Sequence, residues 1–175
     1  MEVLGRVGPV SLRVVGAGDW EVWRQARLAA LGESPHAFKA RLADWESGGE
    51  ARWRERLAMA GAYNVVALLE GEGEVEGEGY GEVVGVAAGM PGGEPGVREL
   101  RSVWVSPRVR GRGVGDRLIA AVEAWAREAG ATRLTLGVLP GNGPALALYR
   151  RHGFVVAEKG GEGQGDEEVV MAKSI

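Results

Sequence analysis

Along 114–129 the apolar residues Val114, Leu118, Val122, Trp125 and Ala129 recur every three or four positions. That spacing draws one stripe down an amphipathic helix. Gly130 follows where such a helix would stop, because the residue just past a helix end favours a left-handed backbone. Elsewhere the period shortens. The runs 64–69, 83–90, 97–105 and 132–138 are rich in valine, leucine and alanine, and turn residues bound them, so they predict strands. A first strand is expected over 11–15, and a closing hairpin from 154–158 and 168–172. Trp20, Trp23, Ala26, Leu28 and Leu31 follow Asp19 at roughly helical spacing. This predicts a helix over 19–31 with Asp19 as its N-cap. A second helix is expected over 51–60, with Trp53 and Leu57 on one face. In 140-PGNGPALALYRRHGF-154, Pro144 suits a first helical turn and Gly153 suits its end. The predicted order is β-α-α-β-β-β-α-β-α-β-β, a mixed α/β fold.

Two stretches lack any period. Residues 32–50 contain Pro35 and the pair Gly48 and Gly49, and read as a loop. Residues 70–82 alternate glutamate with glycine and read as a flexible hairpin loop, too poor in apolar surface to order itself. The tryptophans Trp20, Trp23, Trp45 and Trp53 read as core at helical spacing, with the wall of a pocket as the alternative.

Composition narrows the class. With 175 residues the chain has room for one domain with a core and too little for two, so 1–175 is read as a single domain. The formal net charge of -3 gives no sign of nucleic-acid binding. The chain has no cysteine, which excludes disulfides, thiolate metal sites and a cysteine nucleophile. With His36 and His152 as its two histidines, no metal site is expected. The opening MEVLGRVGPVSLRVV lacks the core of a secretion signal, and no apolar run approaches a membrane span. A cytoplasmic protein with no membrane partner is expected.

The candidate chemistry lies in 104-WVSPRVRGRGVGDRL-118. A strand, a glycine-rich turn and a helix N-terminus form an anion site, because the first helical amides have no partner within the helix. Glycines let a phosphate approach the backbone, and Arg110 and Arg112 add charge. The turn lacks the Gly-Lys-Ser/Thr ending of a P-loop, since Gly115 is followed by Asp116 and Arg117. Asp116 also stands where a dinucleotide fingerprint needs its third glycine.

Val103-Trp104-Val105, then Arg110-x-x-Gly113-x-Gly115 and the long helix, resemble the acyl-CoA-binding core of the GNAT superfamily of N-acyltransferases. Asn142, Ala145, Leu148-Tyr149 and Gly153-Phe154 resemble the second half of that core. The resemblance covers about 97–158. The substrate-side helices, about 19–60, match more loosely through the first helix, Ser34-Pro35 and Phe38. The resemblance implies a GNAT fold: a mixed central sheet of six to seven strands, mostly antiparallel, with flanking helices and a splay between strands four and five. It implies an acetyl-CoA-dependent N-acetyltransferase that acts on a small-molecule or peptide amine by direct attack. A longer acyl-CoA, or a non-catalytic acetyl-CoA sensor, is the alternative. A nucleotide-binding regulatory domain is a third reading. The family's frequent dimers leave room for a homodimer.

The implied roles go position by position. The amides of Gly111, Arg112, Gly113, Val114, Gly115 and Asp116, with Arg110, would bind the pyrophosphate. A bulged strand four would offer the backbone of Val103, Trp104 and Val105 to the pantetheine arm, with the Val105 amide facing the thioester carbonyl. Asn142 would contact the arm. The adenine would lie exposed near the start of the Val114 helix. Tyr149 would stabilise the departing thiolate. Glu99, eleven residues before Arg110, would be the base, and alternation puts it on one face with Arg101, Val103 and Val105. Many family members use another residue or water instead. Asp44 and Glu46 are further candidates and, with Glu99, would attract a cationic amine. His152 is read as structural.

Overall fold

The computed structural model describes residues 9–33, 49–70, 81–159 and 168–175. Expectations for Ser34, Pro35, His36, Phe38, Asp44, Trp45, Glu46 and most of the glutamate-glycine stretch lie outside the described residues. The strands are β1 (Val10–Val14), β2 (Tyr63–Leu69), β3 (Glu82–Pro91), β4 (Val97–Val105), β5 (Arg133–Val138), β6 (Val155–Lys159) and β7 (Val169–Ser174). The helices are α1 (Trp20–Glu33), α2 (Gly49–Leu57), α3 (Val114–Glu128) and α4 (Gly143–Arg151). One seven-stranded sheet runs in the order β1-β2-β3-β4-β5-β7-β6. The β4–β5 pair is parallel and the other pairs are antiparallel. Among the described residues no helix is long and apolar enough to cross a membrane.

Alternation along β2 sends its apolar side chains to both faces, so each face has its own core. Val65, Ala67 and Leu69 pack with Leu118, Ile119 and Val122 of α3 and with Tyr149 of α4. Val66 and Leu68 pack with Trp23 and Ala26 of α1 and with Trp53 of α2. Trp23 and Trp53 are core residues, as their spacing predicted. The buried stripe of α3 differs in its last turn. It runs through Val122 to Ala126, while Trp125 is half-buried and Ala129 lies exposed just past the helix. A 3.6-residue period carries the stripe round by that point. Trp125 instead stacks on Tyr63, with ring centroids 5.4 Å apart. Gly89 of β3 leaves room for that indole, since a Cβ there would run into it.

Both C-terminal glycines close their helices as predicted. At α3, Gly130 has φ 85°, its amide bonds Arg127 and the next amide reaches back to Ala126. At α4, Gly153 has φ 90°, and Phe154 reaches back to Tyr149 in the same way. The start of α1 differs from expectation. Asp19 ends a 3-10 turn over Ala17–Asp19, and its carboxylate reaches back to the Gly16 amide at 3.0 Å and to Arg13 at 2.6 Å. It closes that turn instead of capping α1.

Candidate active site

The sheet opens where β4 leaves β5. Pairing covers Val97–Glu99 against Arg133–Thr135 and then stops, so β4 continues to Val105 with a bare edge. A bulge reshapes that stretch. Ser102 and Val103 together face one residue of β3, because Arg101 pairs with Ala88 and Trp104 with Val86. Ser102 takes a left-handed φ of 61° to do so. Beyond the bulge, the Ser106 amide bonds the Val84 carbonyl of β3 at 2.8 Å. The Val105 carbonyl instead accepts from Arg110 Nε at 3.1 Å, on the side away from β3. In a strand, the N–H and C=O of one residue point the same way. The Val105 amide therefore turns toward the bare edge too.

The turn that follows is held open by backbone. Gly111 and Gly113 have φ 79° and 76°, which side-chain-bearing residues rarely adopt. No side chain caps α3, and its first bond runs from Arg117 N–H to Gly113 O at 3.1 Å. The amides of Val114, Gly115 and Asp116 thus have no acceptor within the helix, and the helix dipole adds positive potential at the same place. They border a cavity of about 830 Å³. Val103, Trp104 and Val105 form its strand wall. Arg110, Gly111 and Gly113 form its turn wall, and Asn142, Leu148 and Tyr149 its α4 wall. Arg112 is not in the wall.

Several of these side chains are held by one another. Glu33, the last residue of α1, takes both Arg110 and the Trp104 indole, at 3.1 Å and 2.7 Å. Asp116 accepts from Arg151 at 2.8 Å and contacts His152 Nε2 at 2.6 Å. Those two contacts, Arg151 first, hold its carboxyl below the usual range. The Asn142 Oδ1 caps α4 by accepting from the Ala145 amide at 3.3 Å. Tyr149 is 9% exposed and meets Phe154 edge-on at 6.0 Å. Burial pushes its phenol up to about 12.

The model of the acetyltransferase (GNAT) family matches residues 26–154. The chain belongs to this family. A curated relative, the mycothiol acetyltransferase of Corynebacterium glutamicum, is 42% identical over 62 residues. That match takes in 35% of this chain and 21% of the relative, so the chain spans about a fifth of that protein. Among solved structures, the ribosomal-protein-alanine N-acetyltransferase of Brucella melitensis is similar at 26% identity and TM-score 0.69. The match covers 94% of this chain and 99% of that one. The PaiA N-acetyltransferase of Thermoplasma acidophilum, in complex with coenzyme A, shares the fold at 14% identity and TM-score 0.68, over 95% and 99% of the two chains.

Against the expectations for a GNAT chain, Glu99 needs a correction. The bulge at Ser102 adds a residue and so exchanges the faces beyond it. Val103 and Val105 join Leu100 in packing on the α3 side, while Trp104 packs on the α1 side. Glu99 and Arg101 alternate with Leu100, so they lie on the α1 side, opposite Val103 and Val105. Both oxygens of Glu99 are taken by Arg101, at 2.8 and 3.2 Å. Sequence reasoning also missed two residues. Glu33 lies 71 and 77 positions from its partners, and no local pattern marks such a pair. Arg151 lines the cavity, and its place near the end of α4, two after Tyr149, was a usable signal.

Proposed function

We propose that the chain transfers an acetyl group from acetyl-CoA to a primary amine, by direct attack of the amine in a ternary complex. The observation that carries this reading is the makeup of one cavity. A buried tyrosine borders it, with a strand edge and three helical amides that have no backbone partner among the described residues. The amides of Val114, Gly115 and Asp116, with Arg110 and Arg151, suit a pyrophosphate. The bare edge at Val103, Trp104 and Val105 suits an amide-bearing arm that adds as a strand. The Val105 amide then faces the thioester oxygen, where negative charge develops as the amine attacks. Asn142 borders the path of the arm.

The role of Tyr149 follows from its raised pKa. A thiol ionises near 8.5, so full transfer of a proton from a phenol at about 12 to the thiolate is uphill by roughly 5 kcal/mol. Tyr149 therefore serves as a hydrogen-bond donor to the departing sulfur, and the proton lost by the amine goes elsewhere. For Glu99 to accept it, the carboxylate must first exchange Arg101. An α-amino group with a pKa near 8 is about a tenth neutral at pH 7 and reacts with water as its proton acceptor, whereas a lysine-like amine near 10.4 needs a stronger base.

The test is thiol release from acetyl-CoA across a panel of amines, which a chain without cysteine does not obscure. Release with one amine class, and kcat lowered about a hundredfold in Tyr149→Phe, is the expected result. Acetyl-CoA binding without release from any amine would replace enzyme with sensor. Faster release from a longer acyl-CoA would change the donor.

A further inference from the structure

On the sheet face that carries α1 and α2, the strand register sets Asn64, Ala88 and Arg101 side by side across β2, β3 and β4. Arg56 of α2 reaches down to this row. It donates from Nη1 to Asn64 Oδ1 at 3.1 Å, and its Cζ lies 5.3 Å from the centre of the Trp23 ring. Both contacts orient the guanidinium, and neither supplies a negative charge. Among the described residues no carboxylate pairs with Arg56. Its neighbour Arg101 is already matched by Glu99, through both oxygens. Arg56 is half-buried, and desolvation first, then Arg101, lowers its pKa. A partly buried cation beside a second cation is unfavourable until an anion joins it.

Resting on the acetyl transfer proposed above, we infer that the amine acceptor carries a carboxylate and that Arg56, seated on Trp23 and Asn64 beside Arg101, receives it. One guanidinium without a counter-ion matches one carboxylate, and its planar fork matches the two oxygens. The position along the sheet fits as well. The Arg101 rung, at Ala88, lies two residues along β3 from the Trp104 rung, at Val86. That is about 7 Å at the rise of an extended strand. Trp104 and its neighbours Val103 and Val105 line the cavity where the acyl group would sit. At about 3.5 Å per extended residue, a dipeptide with its terminal carboxylate spans such a distance between amine and acid. The charge that selects the acceptor on this face is therefore positive and lies on Arg56. The sequence had pointed instead to an acidic face drawing in a cationic amine.

The experiment compares each of glycine, alanine, leucine, β-alanine and alanyl-alanine with its carboxamide, by thiol release from acetyl-CoA. The carboxamide has the less basic amine, so chemistry alone favours it and the comparison is biased against the proposal. The expected result is a kcat/KM about tenfold to a hundredfold higher for at least one acid than for its amide, expressed in KM. In Arg56→Met that ratio falls toward one. Arg56→Lys keeps the charge but loses the fork and falls between. Arg54→Met, which removes a charge paired with Glu50 on the same helix, leaves the ratio unchanged. Equal rates for every acid and its amide, or a ratio that Arg56→Met does not move, would overturn the proposal. A second readout separates it from the acetyl-transfer reading. If no amine releases thiol, that reading fails by itself. Thermal shift with the same acids and amides then decides this one. Stabilisation by acids in the native chain and not in Arg56→Met upholds it, and no difference between acids and amides sinks it.

Discussion

Between α3 and the bare edge of β4, the side chains of Arg110, Asn142, Tyr149 and Arg151 meet the cavity together with the backbone amides of Val105, Val114, Gly115 and Asp116. The directions of those amides are set by Gly111 and Gly113 at positive φ, by the absence of a cap on α3 and by a bulge at Ser102. Across the sheet, between α2 and the same strand, the polar groups are Arg56, Arg101, Glu99 and Asn64, held by one another and by Trp23. A backbone amide carries no charge to lose, and of the side-chain replacements only proline deletes it. A guanidinium on a long stem can be exchanged by one substitution. Backbone therefore suits a ligand part that stays the same, such as a diphosphate and its amide-bearing arm. Side chains suit the partner that distinguishes one acetyltransferase from another.

Glu33 crosses this division, and removing it is the largest test. It ends α1, which shares a sheet face with α2, yet it holds Arg110 and Trp104 of the cavity. Glu33→Ala leaves the indole N–H of a Trp104 that is 6% exposed without its acceptor. The expected cost is about 1–3 kcal/mol, read by urea unfolding. It should shrink in a Trp104→Phe background, with a coupling of about 1 kcal/mol in the double-mutant cycle. Strict additivity would mean that Glu33 links the halves through nothing but proximity.

Gly113→Ala sharpens the division from the other side. A side chain at φ 76° costs about 1–2 kcal/mol, and relieving that strain turns the first α3 amides off their line. The KM for acetyl-CoA should rise about tenfold while the KM for the amine stays within twofold. A change carried mainly by the amine would show that the two sides are not separately built.

The same contrast decides what the sequence made legible. The stripe of α3, the strand-turn-helix glycines and the closing glycines Gly130 and Gly153 are local patterns, and the fold and cavity wall follow from them. What escaped depends on register and distance. The bulge at Ser102 has no glycine to announce it, so alternation placed Glu99 on the same face as Val103 and Val105. Arg56 meets Asn64 and Trp23 only once α2 docks on the sheet, and Glu33 finds its partners from more than 70 residues away. Backbone chemistry is written locally, whereas side-chain clusters are written in the topology.

The smallest effect concerns Tyr149, and its sign can be worked out in advance. Burial raises its pKa to about 12 in the folded chain, against about 10 when unfolded. Below pH 10 both states keep the proton, so Tyr149 adds no pH dependence. Between 10 and 12 the unfolded state releases the proton first, and binding fewer protons there makes stability fall as pH rises. At pH 10.5 the loss is about 1 kcal/mol. Other groups titrate in this range, among them Tyr63, also raised by burial, so the useful quantity is the difference between the native chain and Tyr149→Phe. Urea unfolding at pH 8 and pH 10.5 should show the native chain losing about 1 kcal/mol more than the variant. Turnover should show no alkaline limb from Tyr149 in that same interval. A limb near pH 9 that vanishes in Tyr149→Phe would mean that the phenol ionises during catalysis. It would then act as an acid that surrenders its proton to sulfur, rather than as a donor that keeps it.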